Sequence, residues 1–353
     1  MLKIDYTKRM ARRSTPEALD PVTWLRGLPK AELHLHLEGS ITPETLVELS
    51  RRNDAQPLTL EAARGVYSYN DFPSFLMSFK SVTERLHTPA DYETITYNML
   101  RDLALQGVRH AEVYLSIGIL YWQNRLDVDE VMTAAERGRL RAEHDFGVSL
   151  LWIIDAVRHF GLTECARVFT KAAALSKVYP SVVGIGIGGD EARGPAQEFR
   201  ELYAEAKAAG LHLTCHAGES TGPQSVWAAI NIGAERIGHA LTAVEDPDLI
   251  AVLAERQIPL ELNVTSNLRT ACCPTLFDHP TRHYFEEGLM ITLNSDDPPF
   301  FGANLLDEYV MVQREFSFSL DQMRELAANS VEASFLPPER KLALLGEIEH
   351  YGW

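Results

Sequence analysis

The chain has 353 residues, 46% of them apolar and 23% charged, and its 49 acidic against 33 basic residues give a formal net charge of -16. That balance argues against a nonspecific grip on phosphate backbones or anionic membranes, and the apolar content supports a large core rather than disorder. The basic opening MLKIDYTKRMARRSTPEALD lacks the apolar stretch of a secretory signal, and no apolar run approaches the roughly 18 residues of a membrane span. Four cysteines (Cys165, Cys215, Cys272, Cys273) form neither a disulfide framework nor a C-x-x-C pair, so a cytoplasmic protein with reduced thiols is expected.

Eight short β-like runs follow in chain order: AELHLHL at 31, VRHAEVYLS at 108, GVSLLWIID at 147, SVVGIGIGG at 181, LHLTCHAG at 211, RIGHAL at 236, IPLELNVTS at 258 and LMITLNSDD at 289. Between them lie helix-like stretches such as DEVMTAAERGRLRAEHDF and DPDLIAVLAERQ, and this alternation means parallel strands joined by crossover helices. The stretch GIGIGGDEARG reads G-x-G-x-x-D, a weak match to a dinucleotide fingerprint, and eight units point instead to a (β/α)8 TIM barrel filling the chain as one domain. Residues 41–107 exceed what one crossover needs. They form a helical insertion whose cluster Tyr67, Tyr69, Phe72, Phe75, Leu76, Met77 and Phe79 serves either as a lid or as helix-helix core. Residues 310–353 read as helices packed on the barrel.

In such a barrel the chemistry sits where strands end. The runs end in His34-x-His36, Gly189-Asp190-Glu191, His216-Ala217-Gly218-Glu219, His239 and Asp296-Asp297, so ligand-capable side chains collect at one rim. Alternation along a strand puts His34 and His36 on the same side, able to grip one ion together. His34, His36, His216 and Asp296 make a set suited to zinc with room for a water, whose pKa a bound ion lowers toward about 7. Glu219 stands ready to move protons, with His239 and Asp297 orienting the water. Taken singly, each piece also has a structural explanation, and the weight lies in their conjunction. His110, His144, His159, His212, His279 and His283 gain no such support. No lysine ends the fourth run, as bridged two-metal barrels usually require, so one zinc per chain is expected.

The segments KAELHLHLEGS, GIGGDE, HAGES, RIGHAL, TSN and NSDDP, spread from about residue 30 to about residue 310, resemble the adenosine deaminase branch of the amidohydrolase superfamily. The resemblance implies a mononuclear zinc enzyme that adds water to C6 of an adenine ring and expels ammonia. It implies zinc on His34, His36, His216 and Asp296, protonation of ring N1 by Glu219, His239 and Asp297 managing the water, and the Gly189 N–H meeting ring N3. The expected partner is a small adenine-containing molecule, with neither nucleic acid nor membrane involved.

Two departures bear on the substrate. Adenosine deaminases usually carry Asp where this chain has Glu38, a position expected to meet the ribose 5′-hydroxyl. Adenine deaminases share Glu there but read Cys-Pro-x-Ser-Asn where this chain has Asn263-Val264-Thr265-Ser266-Asn267. The segments SYNDFPSFLMSFKSVTERLHTPADYETI and GGDEARGPAQEF are similar to bacterial members assigned to 6-aminodeoxyfutalosine, an adenine nucleoside extended at its 5′ end by a benzoate-bearing arm, in the futalosine route to menaquinone. An anionic arm wants a cation at the pocket mouth, for which Arg193 is the first candidate and Arg158 and Arg269 are others. Adenosine and free adenine are the alternative substrates. A different metallohydrolase on the same barrel and a nonenzymatic nucleoside-binding barrel are the alternatives of other classes.

Overall fold

The computed structural model describes residues 20–69 and 72–352, without the side chains of Phe72, Pro73 and Leu76. The basic opening stretch, apart from Asp20, lies outside the described residues. Eight strands form the frame: β1 (Lys30–His36), β2 (Val108–Leu115), β3 (Ser149–Val157), β4 (Val182–Gly188), β5 (His212–Ala217), β6 (Arg236–His239), β7 (Leu260–Leu262) and β8 (Ile291–Leu293). They pair in sequence order, always parallel. Between β1 and the residues just after β8 the ring closes. Asn294 Oδ1 accepts from the Leu33 N–H at 2.8 Å, the Asp296 N–H donates to the His34 carbonyl at 3.0 Å, and the His36 N–H donates to the Asp296 carbonyl at 3.1 Å. This is the (β/α)8 barrel that the eight-fold alternation leads one to expect.

Local chemistry starts and stops the crossover helices. Helix Val128–Phe146 begins where Asp127 accepts from the Asp129 and Glu130 N–H groups, and it ends at Gly147 with a φ of 73°. The outward strand residues pack under these helices as one apolar core. The lumen is polar instead. Arg236 on β6 reaches across it to Glu112 on β2 and, at 2.6 Å, to Glu261 on β7, while the Tyr114 hydroxyl donates to Thr214 at 3.1 Å and to Glu261 at 3.2 Å. Glycine at 186 makes room for this lattice, since a Cβ there would lie 2.8 Å from both Tyr114 and Thr214 side-chain atoms.

Two runs are much shorter as strands than their sequence pattern suggests. Past Leu262 the chain turns into helix Val264–Arg269, whose Thr265 N–H is held by the Glu308 carboxylate at 3.2 Å. Past Leu293 the Asn294 side chain takes over the ladder, and Asp296 adopts a φ of 62°. Both departures turn side chains toward the rim that further strand would have sent elsewhere.

Residues 41–107 carry helices Pro43–Asn53, Leu60–Val66, Phe72–Thr83 and Pro89–Ala104. Phe75 stacks on Phe301 with ring centroids 5.7 Å apart, Phe79 lies 5.4 Å from Phe300, and Met77 faces solvent. The insertion thus leans on the segment directly after Asp297. Helices Leu305–Glu315, Leu320–Glu332 and Pro338–His350 follow the barrel, and Ser330 accepts from the Ala31 N–H of β1 at 2.9 Å. Among the described residues no helix is long and apolar enough to cross a membrane. All four cysteines are free thiols.

Candidate metal and catalytic site

The seam between β1 and β8 builds the centre of the site. It holds Asp296 Oδ1 3.2 Å from His36 Nε2 and 3.6 Å from His34 Nε2, and His216 at the end of β5 brings its Nε2 to 3.3 Å from His36 Nε2. His34 Nδ1 lies 2.7 Å from the Glu261 carboxylate, which fixes the proton on Nδ1 and leaves the Nε2 lone pair facing the cluster. That Nε2 is buried with no hydrogen-bond partner. Ligand atoms of His34, His36 and His216 lie within 4.8 Å of one another, as do those of His34, His239 and Asp296. Three imidazoles and a carboxylate converging on one point, with an orphaned lone pair among them, fit a divalent ion such as zinc.

Glu219, His239 and Asp297 stand beside this cluster. Glu219 keeps 22% of its side chain exposed to the pocket, and burial, reinforced by the Asp296 and Glu191 carboxylates, pushes its pKa up to about 8. His239 Nε2 is 3.6 Å from the Glu219 carboxyl, and its Nδ1 accepts from the Asn267 amide at 3.1 Å and the Asn263 amide at 3.3 Å. The ring is therefore neutral with its proton on Nε2; burial and the neighbouring His34 hold its pKa down to about 4. His239 and Asp296 both have positive φ, at 63° and 62°. Such strained residues persist only when their surroundings over-determine them, here through the closing seam and the two asparagines. Asp297, under which Gly39 has no space for a side chain, presents a buried Oδ1 without a partner.

The expected substrate contacts fall into two groups. Glu38 is buried, with neither carboxylate oxygen hydrogen-bonded, while Gly189 is exposed at the end of β4 with a φ of 89°. Arg193 is exposed on the same loop, its N–H donating to Asp190 at 3.2 Å. Arg269 is exposed with its guanidinium 5.6 Å from the Tyr69 ring centroid. Arg158 does not reach the mouth. It is 1% exposed, packs under Gly194 and donates to the His216 carbonyl at 2.5 Å, so it braces a strand rather than meeting a ligand.

Several residues that matter here were given no role of their own on sequence grounds, although Glu191, Arg236 and Ser266 lie within GIGGDE, RIGHAL and TSN. Glu191 accepts from the Gly218, Glu219 and Ser220 N–H groups at 2.8, 2.8 and 2.9 Å and from Thr221 and Ser225 hydroxyls, clamping the loop that carries Glu219. Glu261, Arg236 and Glu112 form the buried chain behind His34, and Ser266 donates to Asp296 at 2.7 Å. His279, set aside on sequence grounds, donates to the Asn267 that holds His239, and His159 accepts the Asp190 N–H. The available signal was a charged residue inside an apolar strand, as in LELN and RHAEV, because a buried acid requires a partner.

Residues 29–351 match the family described as adenosine deaminase. An aminodeoxyfutalosine deaminase of Streptomyces avermitilis is 38% identical over 98% of both chains. A solved adenine deaminase of Arthrobacter aurescens superposes with a TM-score of 0.85 at 32% identity, covering 92% of this chain and 99% of that one. An amidohydrolase with bound Zn, from Burkhoderia ambifaria, does so at 0.84 and 25% identity, covering 95% and 96%.

Proposed function

We propose that this chain, which belongs to the adenosine deaminase family and is a hydrolytic deaminase, removes the 6-amino group of an adenine nucleoside extended at its 5′ position, of the 6-aminodeoxyfutalosine type. The observation that carries the chemistry is the convergence of His34, His36, His216 and Asp296 beside a carboxyl, Glu219, whose pKa burial pushes up to about 8. One zinc held by those four residues would supply a polarised water, acidic enough to give hydroxide at neutral pH.

The chain's own groups account for the remainder. Glu219 donates its proton to ring N1, which lowers the cost of breaking aromaticity as oxygen adds at C6. His239 offers Nε2–H to the incoming oxygen and cannot turn away, because two amides grip its other nitrogen. Asp297 Oδ1, unpartnered in the protein, accepts the proton released from the water. The C6–N bond then breaks as Asp297 passes the proton it accepted to the departing amino group and Glu219 recovers one from the added hydroxyl, and the products are ammonia and the 6-oxo base. Gly189 contacts the ring edge, Glu38 the 5′ end of the sugar, and Arg193 an anionic group beyond it.

The 38% identity with the aminodeoxyfutalosine deaminase over nearly the whole chain supports the extended substrate. Free adenine is the second reading, favoured by the superposition on the adenine deaminase. Zinc stoichiometry and ultraviolet assays of 6-aminodeoxyfutalosine, adenosine and adenine test the proposal. The expected order is extended nucleoside, adenosine, adenine, with about one zinc per chain; adenine as best substrate reverses the substrate assignment. Glu219→Gln should lower turnover at least about 10²-fold with zinc retained, and near-native activity removes Glu219 from its role.

A further inference from the structure

Next to the metal ligands lies a pair of carboxylates that the chemistry above does not use in full. Asp155, near the C-terminal end of β3, is 3% exposed, and Glu38, after β1, is 1% exposed. Three of their four oxygens, Asp155 Oδ1 and both oxygens of Glu38, have no hydrogen-bond partner, and the fourth accepts from the Ser116 hydroxyl at 3.2 Å. Ser116, directly after β2, ties the pair together: its hydroxyl serves Asp155 while its backbone N–H points at Glu38. The ends of β1 and β3, on either side of β2, thus carry unsatisfied acceptors within electrostatic reach of one another. His36 lies within electrostatic reach of Asp155, so the pair borders the reacting centre.

We infer that Asp155 is a second sugar-reading residue, which together with Glu38 accepts hydrogen bonds from ribose hydroxyls, so that the enzyme requires a base that still carries its sugar. This rests on the deaminase reading above and narrows its substrate class. Buried acceptors without partners are costly unless a bound group supplies donors. Hydroxyls supply them, whereas an anionic group would be repelled. Free adenine has no hydroxyl and would leave all three oxygens unmet. A site built to bind hydroxyls discriminates strongly against a ligand that lacks them, because its own buried acceptors then go unpaired. The same pair sets the polarity of the site, with hydroxyls inward at β1 to β3 and any anionic extension outward.

The test compares wild type, Asp155→Asn and Asp155→Ala by kcat/KM on adenosine, its 2′-, 3′- and 5′-deoxy analogues and adenine, with metal content measured for each protein. In wild type, removal of at least one hydroxyl should cost about tenfold to a hundredfold. In the variants the adenosine-to-adenine ratio should fall by a similar factor, mainly through KM, and the penalty for that hydroxyl should shrink. Equal losses on adenosine and adenine overturn the inference and leave Asp155 as a support for Ser116. No hydroxyl penalty in wild type overturns it even if the variants fail to fold. A second equivalent of metal in wild type that Asp155→Asn loses assigns the oxygens to a cation instead and also overturns it. A wild type that deaminates neither these amines nor 6-aminodeoxyfutalosine refutes the deaminase reading itself, and the inference with it; activity on 6-aminodeoxyfutalosine alone overturns the inference and leaves the deaminase reading standing.

Discussion

Replacing Glu191 with glutamine removes a charge and one acceptor from the clamp behind Glu219 while keeping its shape. Its two oxygens divide the work: Oε1 holds the Glu219 and Ser220 N–H groups at 2.8 and 2.9 Å, and Oε2 holds the Gly218 N–H at 2.8 Å together with the two hydroxyls. Whichever way the amide turns, its NH2 faces at least one backbone N–H. Hydrogen bonds to a charged group are worth about 1.5–3 kcal/mol each. The less costly orientation gives up the Gly218 bond alone, about 1.5–3 kcal/mol, and at 1.36 kcal/mol per decade that is about a tenfold to 10²-fold loss in kcat/KM. Glu191→Gln should also shift the pH profile. Glu219 is raised to about 8 by burial first and then by the charges of Asp296 and Glu191. The proposed mechanism needs its proton, so activity should be retained below that pH and lost as pH rises through it. Bound metal offsets the charge of Asp296 but leaves that of Glu191, so removing the latter should move the basic limb to lower pH. The assay is kcat/KM for a nucleoside substrate between about pH 6 and 10, with zinc occupancy matched. Wild-type kcat/KM with an unmoved basic limb would refute the reasoning, and lowered kcat/KM with an unmoved limb would keep the clamp but discard its electrostatic part.

The remaining predictions concern the shell around the site. Glu261→Gln should weaken zinc retention about 10–100-fold in competition with a chelator, because His34 loses the carboxylate that fixes its tautomer; unchanged retention would remove Glu261 from that task. Arg236→Met strands Glu112 and Glu261 as buried charges and should destabilise the fold by about 3–5 kcal/mol in denaturant titrations. Burial opposes ionisation of Glu112, but Arg236 outweighs it and holds the carboxyl at about 2. The pair's contribution is therefore present above the ordinary carboxylate range and lost as pH falls toward 2, whereas in Arg236→Met the unpaired buried carboxyls are pushed up instead, so the variant's deficit should shrink as pH falls and protonates them. Glu38→Asp should improve adenosine relative to the 5′-extended nucleoside about tenfold to a hundredfold in kcat/KM, and an unchanged ratio would detach Glu38 from the 5′ position.

What the sequence determined alone was the set of parts and their order. Eight apolar runs separated by amphipathic stretches have one economical arrangement, a parallel barrel, and period-two alternation within AELHLHL was enough to pair His34 with His36. The ligand-capable ends were visible because polar side chains interrupt apolar runs at corresponding places. What only the tertiary structure decided were the distances across the barrel. Asp296 meets His34 and His36 because β1 hydrogen-bonds to the chain beyond β8, more than 250 residues away in sequence. Glu191 anchors a loop after the next strand, and Arg236 spans the lumen to Glu112. Arg158 shows the converse: its place after the third run suggested the pocket mouth, yet it folds inward to a carbonyl. Strand periodicity is a local property, set by neighbouring backbone sterics, whereas the partner of a buried charge is set by closure of the ring, which no stretch of chain encodes by itself.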